Sequence, residues 1–221
     1  MHKRFSILVL ILPAIFLYSS NASAVVMDID NSASQSGTIQ PFSESNTATY
    51  GQRITVSENA TLNSFSFFID DFGNPVDFIA YVYEWDGNKA TGSSLFASGL
   101  LATTNNSGLS GFEWIDVFTG GISLLAGLDY VLFFSTSDTG INQGDSSRWA
   151  TAGNSYADGG YVYENNGDNF AALTTSAWDS TSNSIDMVFK ADFSQIPVPA
   201  PLALMGLGLV AMGYSRKLKL N

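Results

Sequence analysis

The chain has 221 residues, with 20 acidic side chains against nine basic ones, one histidine, no cysteine and a formal charge of −11. Without cysteine it has no disulfide framework, thiolate nucleophile or cysteine-ligated zinc. Its acid excess repels nucleic acid and anionic lipid at long range and favours solubility.

The first element is a targeting segment. Lys3 and Arg4 precede an apolar run over residues 5–18, and Ala22-Ser23-Ala24 offers small residues for cleavage. This order predicts a signal peptide over 1–24, cut after Ala24, with Ala22 and Ala24 the small residues that precede the cut. The sole histidine, His2, leaves with it. A body over residues 25–196 then holds neither His nor Cys, which excludes Ser-His-Asp and Cys-His nucleophiles. That body carries all 20 acids and four basic residues, Arg53, Lys89, Arg148 and Lys190, a balance of −16.

The body reads as all-β. Residues 31–36 are polar and predict a flexible lead-in. Strands are expected at 53–56, 64–69, 76–83, 112–118, 129–135, 161–164 and 185–193. In the last of these, Ile185, Met187, Phe189, Ala191 and Phe193 form one face against Asp186, Val188, Lys190 and Asp192. The runs at 76–83 and 129–135 are apolar on both faces, as central strands are. Turns are expected at Gly73-Asn74-Pro75, Asp86-Gly87-Asn88, Gly120-Gly121, Asp158-Gly159-Gly160 and Asn166-Gly167-Asp168. Short strands with frequent turns predict a two-sheet, jelly-roll-like β-sandwich.

Three kinds of chemistry remain. Calcium is served by clustered carboxylates and amides, and Asp86 with Asn88, and Glu164 with Asp168, are candidate ligands for a structural ion. Turn chemistry explains the same residues without a metal. Trp85, Trp149, Tyr156 and Trp178 stand next to turn-like sequence and are candidate contacts for a glycan, whose C–H faces suit aromatic rings. Trp114, in an alternating run between Phe112 and Asp116, is expected in the core. A glycosidase needs a facing carboxylate pair, and no motif singles one out, so no catalytic residue is assigned.

The chain ends in a three-part segment: Val198-Pro199-Ala200-Pro201, an apolar run of 13 residues over 202–214, and a basic end containing Arg216 and Lys217. As a helix the run spans about 20 Å, short of a hydrocarbon core of about 30 Å. It suits a transient membrane stop passed to a processing enzyme, or a weak anchor. Residues 197–221 resemble the PEP-CTERM sorting signal, with Ala200 where that family has Glu. The resemblance implies a Gram-negative bacterium, an exosortase-type membrane enzyme as partner, export through the inner membrane, and delivery to the cell surface, outer envelope or extracellular matrix.

The body is similar to β-sandwich bodies of the same family, in Asp71-Phe72-Gly73, Tyr81-Val82-Tyr83, Trp85-Asp86-Gly87, Leu128-Asp129-Tyr130-Val131, Trp178 and Asp186-Met187-Val188-Phe189. That resemblance brings a fold and a compartment but no catalytic residues. The expected function is a non-catalytic, sorted or matrix protein associated with exopolysaccharide or biofilm. A carbohydrate-binding module is the alternative, and a carbohydrate-active enzyme a more distant one.

Overall fold

The described residues form thirteen strands: β1 (Ile29–Asp30), β2 (Gln35–Phe42), β3 (Thr49–Thr55), β4 (Ala60–Asp70), β5 (Asp77–Trp85), β6 (Ala90–Ala102), β7 (Glu113–Leu124), β8 (Asp129–Ser135), β9 (Ser147–Gly153), β10 (Gly159–Glu164), β11 (Ser180–Thr181), β12 (Ile185–Met187) and β13 (Phe189–Gln195). The computed structural model describes residues 28–137, 139, 140 and 145–196. The expected signal peptide, with Ala22 and Ala24, and the tail motif, with Val198, Pro199, Ala200, Pro201, Arg216 and Lys217, lie outside the described residues.

The strands form two antiparallel sheets. One has six strands in the order β11-β10-β3-β8-β5-β6. In the seven-stranded sheet, β4 lies between β7 and β13 and meets β9 at its far end; β9 also pairs β2 and β12, and β1 pairs β13. From β2 to β10 the chain changes sheet at almost every connection, so each sheet is built from distant segments. Inward side chains of both sheets meet in one core. Its centre is Trp149, fully buried on β9, with ring centroids 4.8 Å from Phe67, 5.2 Å from Phe42, 5.4 Å from Phe134 and 5.6 Å from Tyr50.

The outer faces differ. On the six-stranded sheet, Tyr81, Tyr83, Val131 and Phe133 point away from the core. The segment after β10 crosses this face and roofs it with Phe170, Leu173 and Trp178. Trp178 stands edge-on to Phe133 at 5.4 Å and to Trp85 at 5.2 Å, and its Nε1 donates to the Leu173 carbonyl at 2.9 Å. This roof is why β5 and β8 read as apolar on both faces. Gly51 of β3 lies tight beneath the layer: a Cβ there would stand 2.6 Å from the Leu132 carbonyl and 2.7 Å from Phe133 Cβ.

Several expectations are corrected. The polar lead-in is not loose. Asn31 is buried, and its side chain donates to the Met187 carbonyl and accepts from the Phe189 N–H, at 2.8 Å each. The pair Gly120-Gly121 is not a turn. It lies within β7 at a register irregularity, where Thr119 Oγ1 donates to the Leu62 carbonyl. The final alternation slips at Val188, between β12 and β13: Ile185 is exposed while Asp186 is buried. The Asp186 carboxylate accepts from Gln52 Nε2 and from the backbone N–H groups of Ser155 and Tyr156. Finally, β2, β6 and β9 carry no clean period and were not anticipated from pattern.

Replacing Trp149 with alanine empties the centre of the inter-sheet core. Urea unfolding of Trp149→Ala is expected to show a loss of about 3–5 kcal/mol relative to the unaltered protein.

Candidate functional site

The outer face of the seven-stranded sheet is open only in part: Ala150, Ala152 and Val188 are buried against Phe68, Phe112 and Trp114, while Asp116, Phe118 and Asp192 are exposed. Period two dictates what that face presents. On β7, Glu113, Ile115 and Val117 point inward, so Trp114, Asp116 and Phe118 point outward. Across from them stand Phe68, Ser66 and Ser64 of β4, and next to these Lys190 and Asp192 of β13. Asp30 of β1 pairs opposite Lys190.

Half of this face is an aromatic row. Phe68 stacks on Phe112 at 5.1 Å and on Trp114 at 4.9 Å, each at 29° between planes. Cations close both ends. Lys190 Nζ lies 4.3 Å from the centroid of Trp114, and the Arg148 guanidinium lies between Phe112 at 5.1 Å and Phe72 at 4.9 Å. Each cation has an acid partner. Arg148 meets Asp70 at 2.7 Å and Lys190 meets Asp30 at 3.5 Å. Hydrogen bonds from Ser32, its hydroxyl first, hold the Asp30 carboxyl below the usual range, with Lys190 adding to the effect.

The other half is a shallow depression of about 360 Å³. Ser64 and Ser66 line its β4 side, and Asp28, Asp30, Asp116, Asp192 and Lys190 supply its charged groups. Phe118 stands beside it with 78% of its surface exposed, the largest exposure of any aromatic ring among the described residues. The arrangement offers an open apolar ring, two hydroxyls, carboxylates that accept from hydroxyl groups, and one ammonium that donates. That set suits a polyhydroxyl ligand with an apolar C–H face.

The tryptophans expected to form a glycan platform do not form one. Trp149 is fully buried in the inter-sheet core, and Trp85 and Trp178 are each 5% exposed under the roof of the other sheet. Burial of their large apolar surface outweighs the turn-like sequence beside them. Tyr156 is half-buried against Phe189; its hydroxyl donates to the Thr55 carbonyl at 2.9 Å, and burial pushes its pKa up to about 12. Trp114, expected in the core, is half-buried on the outer face instead. The signal for it was in the sequence: Asp116 shares the parity of Trp114 and Phe118, and an acid marks the wet face.

The candidate calcium ligands are engaged by backbone. Asp86 Oδ1 accepts from the N–H groups of Asn88 and Lys89 in its own turn, at 2.9 and 3.0 Å. Glu164, at the end of β10, accepts the Asp179 N–H on Oε2 at 2.6 Å. Asp168 lies in the turn that follows β10. Among the described residues, no three His, Cys, Asp or Glu side chains come together as a group that could hold a metal ion.

No family model matches the chain, and no curated protein matches it. Among solved structures it is similar to the cysteine protease and lectin-like domains of Cwp84, a surface layer associated protein of Clostridium difficile. That match has 14% identity and a TM-score of 0.37, over 68% of this chain and 33% of that one. It is also similar to the infectious bursal disease virus VP2 subviral particle, with 16% identity and a TM-score of 0.30, over 93% of this chain and 54% of that one. The chain thus spans about a third and about half of those two chains.

Burial raises the Glu164 pKa above its ordinary value, the Asp179 N–H opposes the shift, and the Asp179 charge reinforces it. An acid whose folded pKa is raised stabilises the fold in its protonated form. That contribution is present below the unfolded value of about 4.5 and is lost as pH rises through the folded pKa. Glu164→Gln removes the ionisation. Urea unfolding is expected to show the variant gaining on the unaltered protein between pH 4 and pH 7, a gain that would be absent if Glu164 were stabilised as the anion.

Proposed function

We propose that this is an exported, non-catalytic protein of the cell surface or extracellular matrix whose body holds polysaccharide on the outer face of the seven-stranded sheet. The observation that carries the reading is the exposed Phe118 ring beside a depression lined with carboxylates and hydroxyls, on the open part of that face. A buried aromatic packs; a ring 78% in water next to convergent polar groups has the form of a recognition surface.

The wiring supports a stable display scaffold. Strands β2-β9-β4-β7 in one sheet and β3-β8-β5-β6 in the other have the order of a jelly roll, with β10 and β11 added beside β3 and the remaining strands inserted beside β4 and β9. The targeting part of the reading rests on sequence. The signal-peptide pattern and the PEP-CTERM-like tail fit secretion and handling by an exosortase-type enzyme, with transient membrane contact. The non-catalytic part of the reading is supported by composition, with no His or Cys over 25–196, and by the buried Asp71, Glu113 and Asp186, each of which accepts a backbone N–H. A structural calcium ion is no part of the site described above.

The test is retention of the purified protein by a panel of insoluble polysaccharides, with and without calcium. Saturable, calcium-independent retention on at least one glycan is expected, with about tenfold weaker retention for Phe118→Ala. Removing so exposed a ring is expected to leave the melting temperature unchanged. Retention equal in the variant would refute the face as the site.

A further inference from the structure

Strand pairing organises the depression beside Phe118 into two rows across the sheet. Asp116 of β7, Ser66 of β4, Lys190 of β13 and Asp30 of β1 form one row, each opposite the next. Phe118, Ser64 and Asp192 form the other, and the register of β1 against β13 carries Asp28 to its end, opposite Asp192. All eight side chains line the depression.

The rows differ in charge balance. In the first, the Lys190 ammonium is already engaged, 3.5 Å from Asp30 and over the ring of Trp114. The second row has no cation. Asp28 and Asp192 are both exposed, and the hydrogen bonds they accept are long: 3.4 Å from the Phe193 N–H to Asp28 and 3.3 Å from the Ser64 hydroxyl to Asp192. Asp116, exposed next to Phe118 on the same face of β7, has no hydrogen bond or ion pair among the described residues. Four carboxylates and one ammonium leave the depression at −3. Like charges directly opposite on neighbouring strands are destabilising, and here they surround an open aromatic ring.

That charge separates ligands of similar shape. A uronate or sulfated chain is repelled. A neutral chain can donate its hydroxyls to the carboxylates but leaves their mutual repulsion in place. A chain bearing ammonium groups removes the repulsion, and charge-assisted hydrogen bonds to carboxylates are stronger than neutral ones. The spacing suits such a chain. Asp192 lies two strand spacings from Phe118, about 10 Å, roughly the span of a disaccharide. Asp116 lies two residues from Phe118 along β7, about 7 Å.

We propose that the depression selects cationic glycans: chains of amino sugars with free amines, held by ring contact with Phe118 and by ammonium contacts to Asp116, Asp192 and Asp28. The proposal rests on the reading of this face as a polysaccharide site and adds to it the charge of the ligand.

The test is isothermal titration calorimetry of the purified protein with a glucosamine hexamer, its N-acetylated counterpart, a galacturonic acid hexamer and hexalysine. The glucosamine hexamer is expected to bind saturably, the N-acetylated hexamer about tenfold more weakly, and the uronate not at all. The double variant Asp116→Asn/Asp192→Asn is expected to weaken glucosamine-hexamer binding about tenfold, from two exposed ion pairs of up to about fivefold each. Glu84→Gln, at an exposed acid of the other sheet, is expected to leave it unchanged. Phe118→Ala is expected to weaken it about tenfold through the lost ring contact. Asp192→Asn alone is expected to leave the melting temperature unchanged or higher, because it relieves the repulsion from Asp28. Equal or tighter binding of the N-acetylated hexamer, or unchanged binding in the double variant, overturns the charge selection and leaves the polysaccharide reading standing. Hexalysine binding as tight as that of the glucosamine hexamer, or glucosamine-hexamer binding untouched by Phe118→Ala, overturns the glycan as the preferred cation. No binding of the glucosamine hexamer also overturns the proposal; the polysaccharide reading survives that result if retention on insoluble polysaccharide persists, and falls with it if retention is absent too.

Discussion

Strands β5 and β8 are apolar on both faces, and that constraint decides what the two outer surfaces of the sandwich become. Their inward residues close the core around Trp149. Their outward residues, Tyr81, Tyr83, Val131 and Phe133, cannot be left in water without a large apolar cost, so the chain after β10 is drawn across them and pinned by Trp178. The roof uses up Trp85 and Trp178. On the seven-stranded sheet Asp116, Phe118, Lys190 and Asp192 keep one part of the outer face in water, while Ala150, Ala152 and Val188 are buried against Phe68, Phe112 and Trp114. Its remaining aromatics protect one another by stacking, with Arg148 and Lys190 closing the row.

The acid excess has two uses. Part of it is surface charge, as the composition suggests. Another part works as backbone glue: Asp70, Asp71, Glu113 and Asp186 are buried, and each accepts hydrogen bonds from turn or strand N–H groups or from a cation. Charge-assisted bonds of this kind are stronger than neutral ones. They allow a chain without disulfides to hold long turns in fixed shape. Two of them, Asp71 and Glu113, hold the turn after β4 and the one between β6 and β7.

The strands were legible in the sequence wherever apolar residues alternated or ran continuously. β4, β13 and β8 followed from alternation or from a continuous apolar run. β6 was not legible, because small and hydroxyl residues along its length give no period, and β2 was hidden by its polar composition. The site was read at the wrong tryptophans. Turn-like neighbours made Trp85, Trp149 and Trp178 look exposed, but pairing partners far along the chain bury them, and nothing local records those partners. Trp114 was placed inside because its run alternates. Alternation fixes which residues share a face and not which face is inside; the buried Glu113, bonded to Thr104, inverts the simple polarity rule there.

The central claim is that one outer face is roofed while part of the other is open to a ligand, and tryptophan accessibility tests it most directly. Acrylamide quenching of intrinsic fluorescence should find one accessible tryptophan, Trp114, and a Trp114→Phe variant should lose the quenchable fraction. A polysaccharide retained by the protein should shield that fraction in the unaltered chain. Strong quenching that survives in Trp114→Phe would show Trp85 or Trp178 open to solvent and would contradict the roofed face on which the account rests.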